Sequence, residues 1–174
     1  MDMQATSHIS ALGCGCESTA SSANQPSFCQ HLQAYEPLIG DWTTEFPVEG
    51  GQMVTLTAKT QWIYNKNFIH MEWFMTVGGQ QAPIFQSLWG WDALATRMRF
   101  WIFRRDGGNV EGNVYWDGEA LKLLPFGFMA PAKAMSQTAV LKFPDKDTFT
   151  YYTDDHTIAG LLQPPLLVKF QRVK

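Results

Sequence analysis

The residues best suited to acid–base chemistry are His70 and Glu72, two positions apart in an apolar stretch. In a β-strand, side chains two apart point to the same face, so the imidazole and the carboxylate would be neighbours. The carboxylate favours the protonated imidazole, whereas burial favours the neutral form of both groups. Such a couple could act as general acid and base. The alternative is an exposed or cross-strand ion pair.

A second polar cluster follows further along the chain. Glu111, Asn113 and Tyr115 alternate with apolar residues, so this stretch has one polar and one apolar face. If the polar face lines a pocket, Glu111 and Tyr115 are candidates for proton transfer on a phenol or a carbonyl compound. If the usual polarity of a sheet holds, the three side chains meet solvent.

A third feature is Arg99, which shares a strand face with Trp101. An arginine inside a pocket could anchor a carboxylate or an enolate, and an arginine on the rim or outside is the alternative. Aromatic rings and side-chain amides of the neighbouring predicted strands, and the rings of the aromatic segment 125–131, could line the same pocket as Arg99. The candidate ligand-binding residues are therefore Phe68, Phe74, Gln86, Arg99, Trp101, Asn113, Phe126 and Phe128.

Motifs for nucleotide or metal chemistry are missing. The chain has no phosphate-binding loop, dinucleotide fingerprint, Gly-x-Ser-x-Gly or His-Glu-x-x-His. We therefore expect no cofactor and no metal, and an enzyme here would rely on pocket shape and a few polar groups.

The elements that must position these residues are short strands of alternating polarity. Turn residues separate them, and Asp117-Gly118 is the strongest hairpin signal because it tolerates positive φ. No segment of helical crossover length intervenes, so we predict an all-β fold: a single antiparallel up-and-down β-barrel of about ten strands, closed so that no edge is exposed. The predicted strands are 41–46, 53–64, 68–77, 83–91, 97–103, 109–116, 119–124, 133–143, 148–154 and 166–173.

Residues 1–25 differ in composition from the rest of the chain. They are rich in Ser, Ala, Gly and Thr without a hydrophobic period, which predicts a flexible arm before a barrel domain at 26–174. The odd set Cys14, Cys16 and Cys29 indicates free thiols. A soft-metal site with His31 is the alternative, although no fourth ligand stands at a standard spacing.

A short helix is predicted just before the first strand. Phe28, Leu32 and Tyr35 recur at i, i+4 and i+7, and we expect Pro37 to end the helix. Such a helix could plug one end of the barrel. Two apolar connections, 125–131 and 155–165, are expected to serve either as lids over the barrel mouth or as the contact of a homodimer.

Composition limits the possible partners. The formal net charge of −3 leaves no basic footprint for nucleic acid. No apolar run reaches the roughly 18 residues of a membrane span, and the N-terminus lacks a basic region followed by an apolar stretch. We therefore expect a cytoplasmic protein. Its aromatic fraction of 14% suits both core packing and a pocket for an apolar or ring-shaped ligand.

Three segments carry a resemblance to a known class. HLQAYEPLIGDWTTE at 31–45, Gly90-Trp91-Asp92 and the glycine-rich run at 106–112 resemble lipocalin-like, calycin-type β-barrels of an uncharacterised bacterial family. The resemblance covers residues 31–174 and implies that Trp42 packs under Arg172 of the last strand. Some related barrels bind haem through a histidine near the C-terminus, but His156 follows Asp154-Asp155 in a predicted loop.

These features predict binding of a small hydrophobic or aromatic molecule in the barrel lumen. The first alternative is a cofactor-independent lyase, isomerase or cyclase, which would act on a small apolar or phenolic substrate in the same pocket. His70, Glu72, Glu111 and Tyr115 would then be its acid–base candidates. The second alternative is a protein-interaction module.

Overall fold

In the part of the chain that the structure describes, eleven strands form one sheet, and ten of them close into an antiparallel barrel. The computed structural model describes residues 31–48 and 50–174. The predicted arm at 1–25, Phe28 and the three cysteines lie outside the described residues. The strands are β1 Gly40–Pro47, β2 Met53–Ile63, β3 Phe68–Val77, β4 Gln80–Asp92, β5 Arg97–Arg104, β6 Asn109–Asp117, β7 Ala120–Met129, β8 Lys133–Asp145, β9 Thr148–Ile158, β10 Leu161–Leu162 and β11 Leu166–Arg172.

The strand pairing confirms the predicted antiparallel meander. Strands β1 to β8 pair in chain order, β9 pairs with both β8 and β11, and β11 returns to β1. This last pairing closes the barrel and leaves only the two-residue β10 at an edge, where it pairs with β9. The predicted all-β fold of about ten barrel strands is therefore confirmed.

Two segments predicted as loops are largely strand. Strand β7 continues to Met129, because Phe126 and Phe128 keep the alternation by pointing outwards while Pro125 is buried. Strand β9 continues to Ile158 through a β-bulge, where Asp155 adopts a positive φ of 49°. The connections that remain are 130–132 and the turn around β10.

The predicted short helix is present as a 3-10 helix, Gln33–Leu38. Leu32, Tyr35 and Leu38 are buried three residues apart, which matches the three residues per turn of this helix. Pro37 lies inside the helix and does not end it. The hydrogen bonds from Tyr35 N to the Leu32 carbonyl and from Ile39 N to the Glu36 carbonyl do not need the N–H that proline lacks.

The 3-10 helix defines a plugged end of the barrel, where the turns 64–67, 93–96, 118–119 and 146–147 also lie. The turns 78–79, 105–108 and 130–132 and the segment 159–165 form the opposite, distal end. Between the ends, the inward faces of the strands build one hydrophobic core that includes Trp42, Ile69, Phe100, Leu121 and Phe170. The single helix that the structure describes is too short to cross a membrane.

Candidate functional site

An internal cavity of about 220 Å³ lies inside the barrel. Most of its lining is aliphatic or aromatic, with Trp42, Trp73 and Trp89 among the largest side chains. Leu38 of the 3-10 helix lies on its wall at the plugged end. Nine of the ten barrel strands contribute and β6 does not, since nearly every strand turns one or more side chains towards this space.

A few neutral polar groups interrupt this apolar lining. Thr60 and Ser87 are buried, and Ser87 Oγ accepts a hydrogen bond from Trp89 Nε1 at 3.1 Å. On the wall formed by β8 and β9, Gln137 Nε2 donates to the hydroxyl of Tyr151 at 2.9 Å. Among the described residues that line the cavity, none is Asp, Glu, Lys, Arg or His.

Burial changes the chemistry of Tyr151. Loss of solvent raises the pKa of its phenol, and the hydrogen bond from Gln137 opposes this effect. The group is therefore a neutral hydroxyl at physiological pH. It can donate a hydrogen bond as well as accept one.

The plugged end is held by the pair that the resemblance predicts. The guanidinium carbon of Arg172 lies 4.0 Å from the centre of the Trp42 ring. The same guanidinium donates to the carbonyls of Pro37, Ile39 and Lys146, while Trp42 Nε1 donates to the Leu38 carbonyl. The Trp42–Arg172 pairing is thus confirmed, and it joins the last strand to the helix.

The sequence left open which strand faces point inwards, and the structure decides this for the predicted site residues. All twelve lie on the outer face, and none lines the cavity. In β3, for example, His70 alternates with the buried Ile69 and Met71, and Met71 lines the cavity. The roles assigned to these residues from the sequence stay predictions, without an enclosed pocket around them.

The structure does not bring the two acid–base pairs together. His70 pairs with Leu88, Leu88 with Trp101, and Trp101 with Glu111. Three interstrand steps of about 4.8 Å therefore put His70 and Glu111 on the order of 14 Å apart. Tyr115 lies further along β6 and is exposed.

Arg99 is engaged in an ion-pair network on the outer face. Its guanidinium donates to Glu111 at 2.6 Å and to Asp92 at 3.3 Å, and it lies over the Trp101 ring at 5.3 Å. Hydrogen bonds from the Ala95 backbone and from Arg99 lower the pKa of Asp92. Asn113 pairs with Arg99 across β5 and β6. This network satisfies Arg99 with protein carboxylates.

Three other predicted residues line a groove on the outer side, next to the β-bulge between β3 and β4. The carbonyl oxygen of the Gln86 amide accepts a hydrogen bond from His70 Nε2 at 3.2 Å. Glu72 and Phe74 also line this groove, together with Arg104 and Arg105.

The three remaining aromatic residues of the predicted ligand-binding set lie neither in the Arg99 network nor in this groove. The Phe68 ring covers Gly90, where an added Cβ would come within 2.6 Å of it. Phe126 and Phe128 are about half exposed on β7. Predicted ligand-binding rings thus pack on the outside of the barrel.

The residues that line the cavity were missed because the mixed polar faces were favoured over the apolar ones. In β3, the uniformly apolar face with Met71 and Trp73 points inwards. The absence of polar residues from that face was the signal that could have identified it as the inward face. Tyr151 and Gln137 gave no such signal, since they meet only through the pairing of β8 with β9.

His156 lies in β9, so its prediction as a loop residue is wrong. Its Nε2 is buried without a hydrogen-bond partner among the described residues, and burial lowers the pKa of the imidazole. His156 does not line the internal cavity. Nor do the described residues contain three or more His, Cys, Asp or Glu grouped to hold a metal ion.

Fold and cavity together define a closed ten-stranded antiparallel barrel with an apolar interior. Neither a protein-family model nor a curated protein matches this sequence. Among solved structures, the chain is similar to the crystal structure of Rv2717c from M. tuberculosis, with a TM-score of 0.56 and 16% sequence identity. The likeness covers 82% of this chain and 97% of that chain, and at this identity it shows the fold alone.

Proposed function

We propose that this protein binds a small hydrophobic or aromatic molecule inside the barrel. The observation that carries the proposal is the internal cavity of about 220 Å³ with its apolar lining. An apolar cavity of about 150 Å³ is large enough to hold benzene. The space in this barrel therefore suits a ligand of one or two rings.

The environment of the cavity supports the same proposal. Binding sites for small molecules are mostly apolar, with a small number of polar groups that fix orientation. Here the lining combines indole and phenyl rings with a few neutral polar groups, among them Ser87, Gln137 and Tyr151. Lipocalin-like barrels, which the sequence resembles, have an interior of suitable size for one small ligand.

Direct binding tests this proposal. Native mass spectrometry of the protein purified from its host should show a retained small molecule. Titration with 2-acetylnaphthalene should change the fluorescence of the indoles that line the cavity. Ala58→Leu, which adds bulk to a buried residue of the lining, should weaken binding, whereas Ala93→Leu at an exposed turn should not. An empty protein in the mass spectrum, together with no response to the naphthalene, would refute the proposal.

A second candidate is docking of another copy of this chain at the distal end. Leu161, Leu162 and Leu167 are each about 70% exposed there, and Leu166 is half exposed. Exposed apolar residues grouped in this way are typical of protein contacts. These four leucines support the predicted homodimer, in which a second copy of the chain would cover them.

Sedimentation velocity over a concentration series tests the homodimer. The wild type should shift towards a dimer, and Leu161→Ser combined with Leu167→Ser should remain monomeric. Leu94→Ser is the matched control, because Leu94 is 99% exposed but lies at the plugged end. A wild type that stays monomeric at all concentrations would rule out the homodimer.

A further inference from the structure

The wall formed by β8 and β9 holds the one hydrogen bond between two cavity-lining side chains from different strands in the described residues. Gln137 and Tyr151 both line the cavity, and the amide Nε2 donates to the phenol oxygen at 2.9 Å. The bulge in β9 faces Gln137: Ser136 pairs with Thr157 and Thr138 with Asp154. The two side chains thus form a polar spot on an otherwise apolar wall.

This pair keeps at least one hydrogen-bond donor unfilled. With the amide nitrogen donating to Tyr151, the phenol proton has no acceptor among the described residues. The phenol of Tyr151 therefore offers a neutral donor to whatever occupies the cavity.

The cavity offers nothing to compensate an ionised ligand. None of the described residues in its lining carries a charge. A buried carboxylate without a cation or several donors is strongly disfavoured relative to water. An oxygen on a neutral ligand avoids this desolvation cost and can accept the spare hydrogen bond.

We infer that the cavity selects neutral apolar molecules that carry one carbonyl or ether oxygen, and that the Tyr151–Gln137 pair is the anchor for that oxygen. This inference rests on the proposed function. The rest of the ligand lies against the apolar wall, which includes Trp73, Phe85 and Leu166. Carboxylates of the same shape are excluded.

Three naphthalenes of similar shape separate these contributions in equilibrium dialysis. They are 2-acetylnaphthalene, which has a carbonyl; 2-ethylnaphthalene, which has no acceptor; and 2-naphthoate, which is ionised. For Tyr151→Phe, we expect roughly tenfold weaker binding of 2-acetylnaphthalene and less than about twofold change for 2-ethylnaphthalene. The wild type should bind 2-naphthoate at least about a hundredfold more weakly than 2-acetylnaphthalene.

Tyr152→Phe is the matched control, because Tyr152 is the next residue in β9 and lies on the outer face. It should bind all three compounds as the wild type does. A spectroscopic readout adds a test that a purely structural role would not pass. The infrared carbonyl stretch of bound 2-acetylnaphthalene should lie at lower frequency in the wild type than in Tyr151→Phe.

The outcomes distinguish this inference from the proposed function. If no naphthalene binds the wild type, the inference is overturned, and an empty protein in the native mass spectrum would then refute the proposed function as well. If both neutral compounds bind but Tyr151→Phe weakens them equally or not at all, the inference alone is overturned. An unchanged carbonyl frequency in Tyr151→Phe, or tight binding of 2-naphthoate, would overturn it too.

Discussion

Arg172 connects separate parts of the plugged end through one side chain. It stacks on Trp42 of β1, donates to carbonyls at the end of the 3-10 helix, and reaches the Lys146 carbonyl in the turn between β8 and β9. Gly40 has no side chain where the guanidinium passes, and an added Cβ would collide with it. Gly40, Trp42 and Arg172 therefore form one structural unit.

We expect Arg172→Ala to destabilise the fold by about 3 kcal/mol, since a cation–π stack and several hydrogen bonds from a charged donor are lost. For a chain of this size, the midpoint of thermal unfolding should fall by about 6–12 °C. Lys169→Ala, at an exposed lysine of the same strand, is the control and should change it little. A denaturant titration in which both variants match the wild type would contradict this role.

Tyr35 is a second residue whose environment makes a testable difference. Burial raises the pKa of its phenol to about 12, and its hydroxyl donates to the Val114 carbonyl at 3.5 Å. The folded state therefore favours the neutral phenol. This contribution is fully present below the unfolded pKa near 10 and is lost as the pH rises towards 12.

The free energy of unfolding in urea should consequently fall more between pH 9 and pH 11 for the wild type than for Tyr35→Phe. Tyr64→Phe, which changes a tyrosine that is 76% exposed, should keep the wild-type slope. Equal slopes for the wild type and Tyr35→Phe would show that ionisation of Tyr35 is not coupled to folding.

At the scale of elements, the 3-10 helix closes the barrel with one face. Its buried residues follow the three-residue period, and Leu38 is both 2% exposed and part of the cavity wall. Tyr35 packs near Trp116 of β6, with ring centres 6.2 Å apart. The helix is thus a part of the core and of the candidate site.

Leu38→Ala should lower the free energy of unfolding by about 2–4 kcal/mol, because it removes buried methyl groups and enlarges the cavity. Leu94→Ala makes the same chemical change at an exposed turn and should cost less than about 0.5 kcal/mol. Chemical denaturation measures both values. If Leu38→Ala lowered the free energy of unfolding no more than Leu94→Ala does, the packing of the helix against the barrel would not contribute to stability.

At the scale of the whole molecule, closure of the sheet separates two environments. The interior is apolar and neutral, and the outer face carries the ion pairs of Arg99, the aromatic rings of β7 and the groove beside Gln86. A ligand held inside contacts nearly every strand. It should therefore stabilise the barrel as a unit.

We expect 2-acetylnaphthalene at about 100 times its dissociation constant to raise the free energy of unfolding by about 2.7 kcal/mol. The corresponding rise in the midpoint of thermal unfolding is about 5–10 °C. Differential scanning calorimetry should show this shift for the wild type and a smaller one for Ala58→Leu at the same ligand concentration. An identical rise of the unfolding midpoint in both proteins would mean that the ligand binds outside the cavity.

The sequence by itself determined the fold class and most strand positions. Polarity of period two predicts strands, and turn residues such as Asp117-Gly118 mark the hairpins, because both depend on local backbone geometry. The partnership of Trp42 with Arg172 was also accessible, through resemblance. Strand ends were less accessible, as the continuation of β7 through Pro125 shows.

Only the tertiary structure decided which faces point inwards and which side chains meet. Alternation separates His70 and Glu72 from Met71 and Trp73, but it does not say which set is enclosed. Closure of the sheet buries the apolar set, because an apolar interior solvates a carboxylate or an imidazole far less well than water does. The contact of Gln137 with Tyr151 likewise exists only once β8 and β9 pair around a bulge, since no local pattern encodes a pairing between strands.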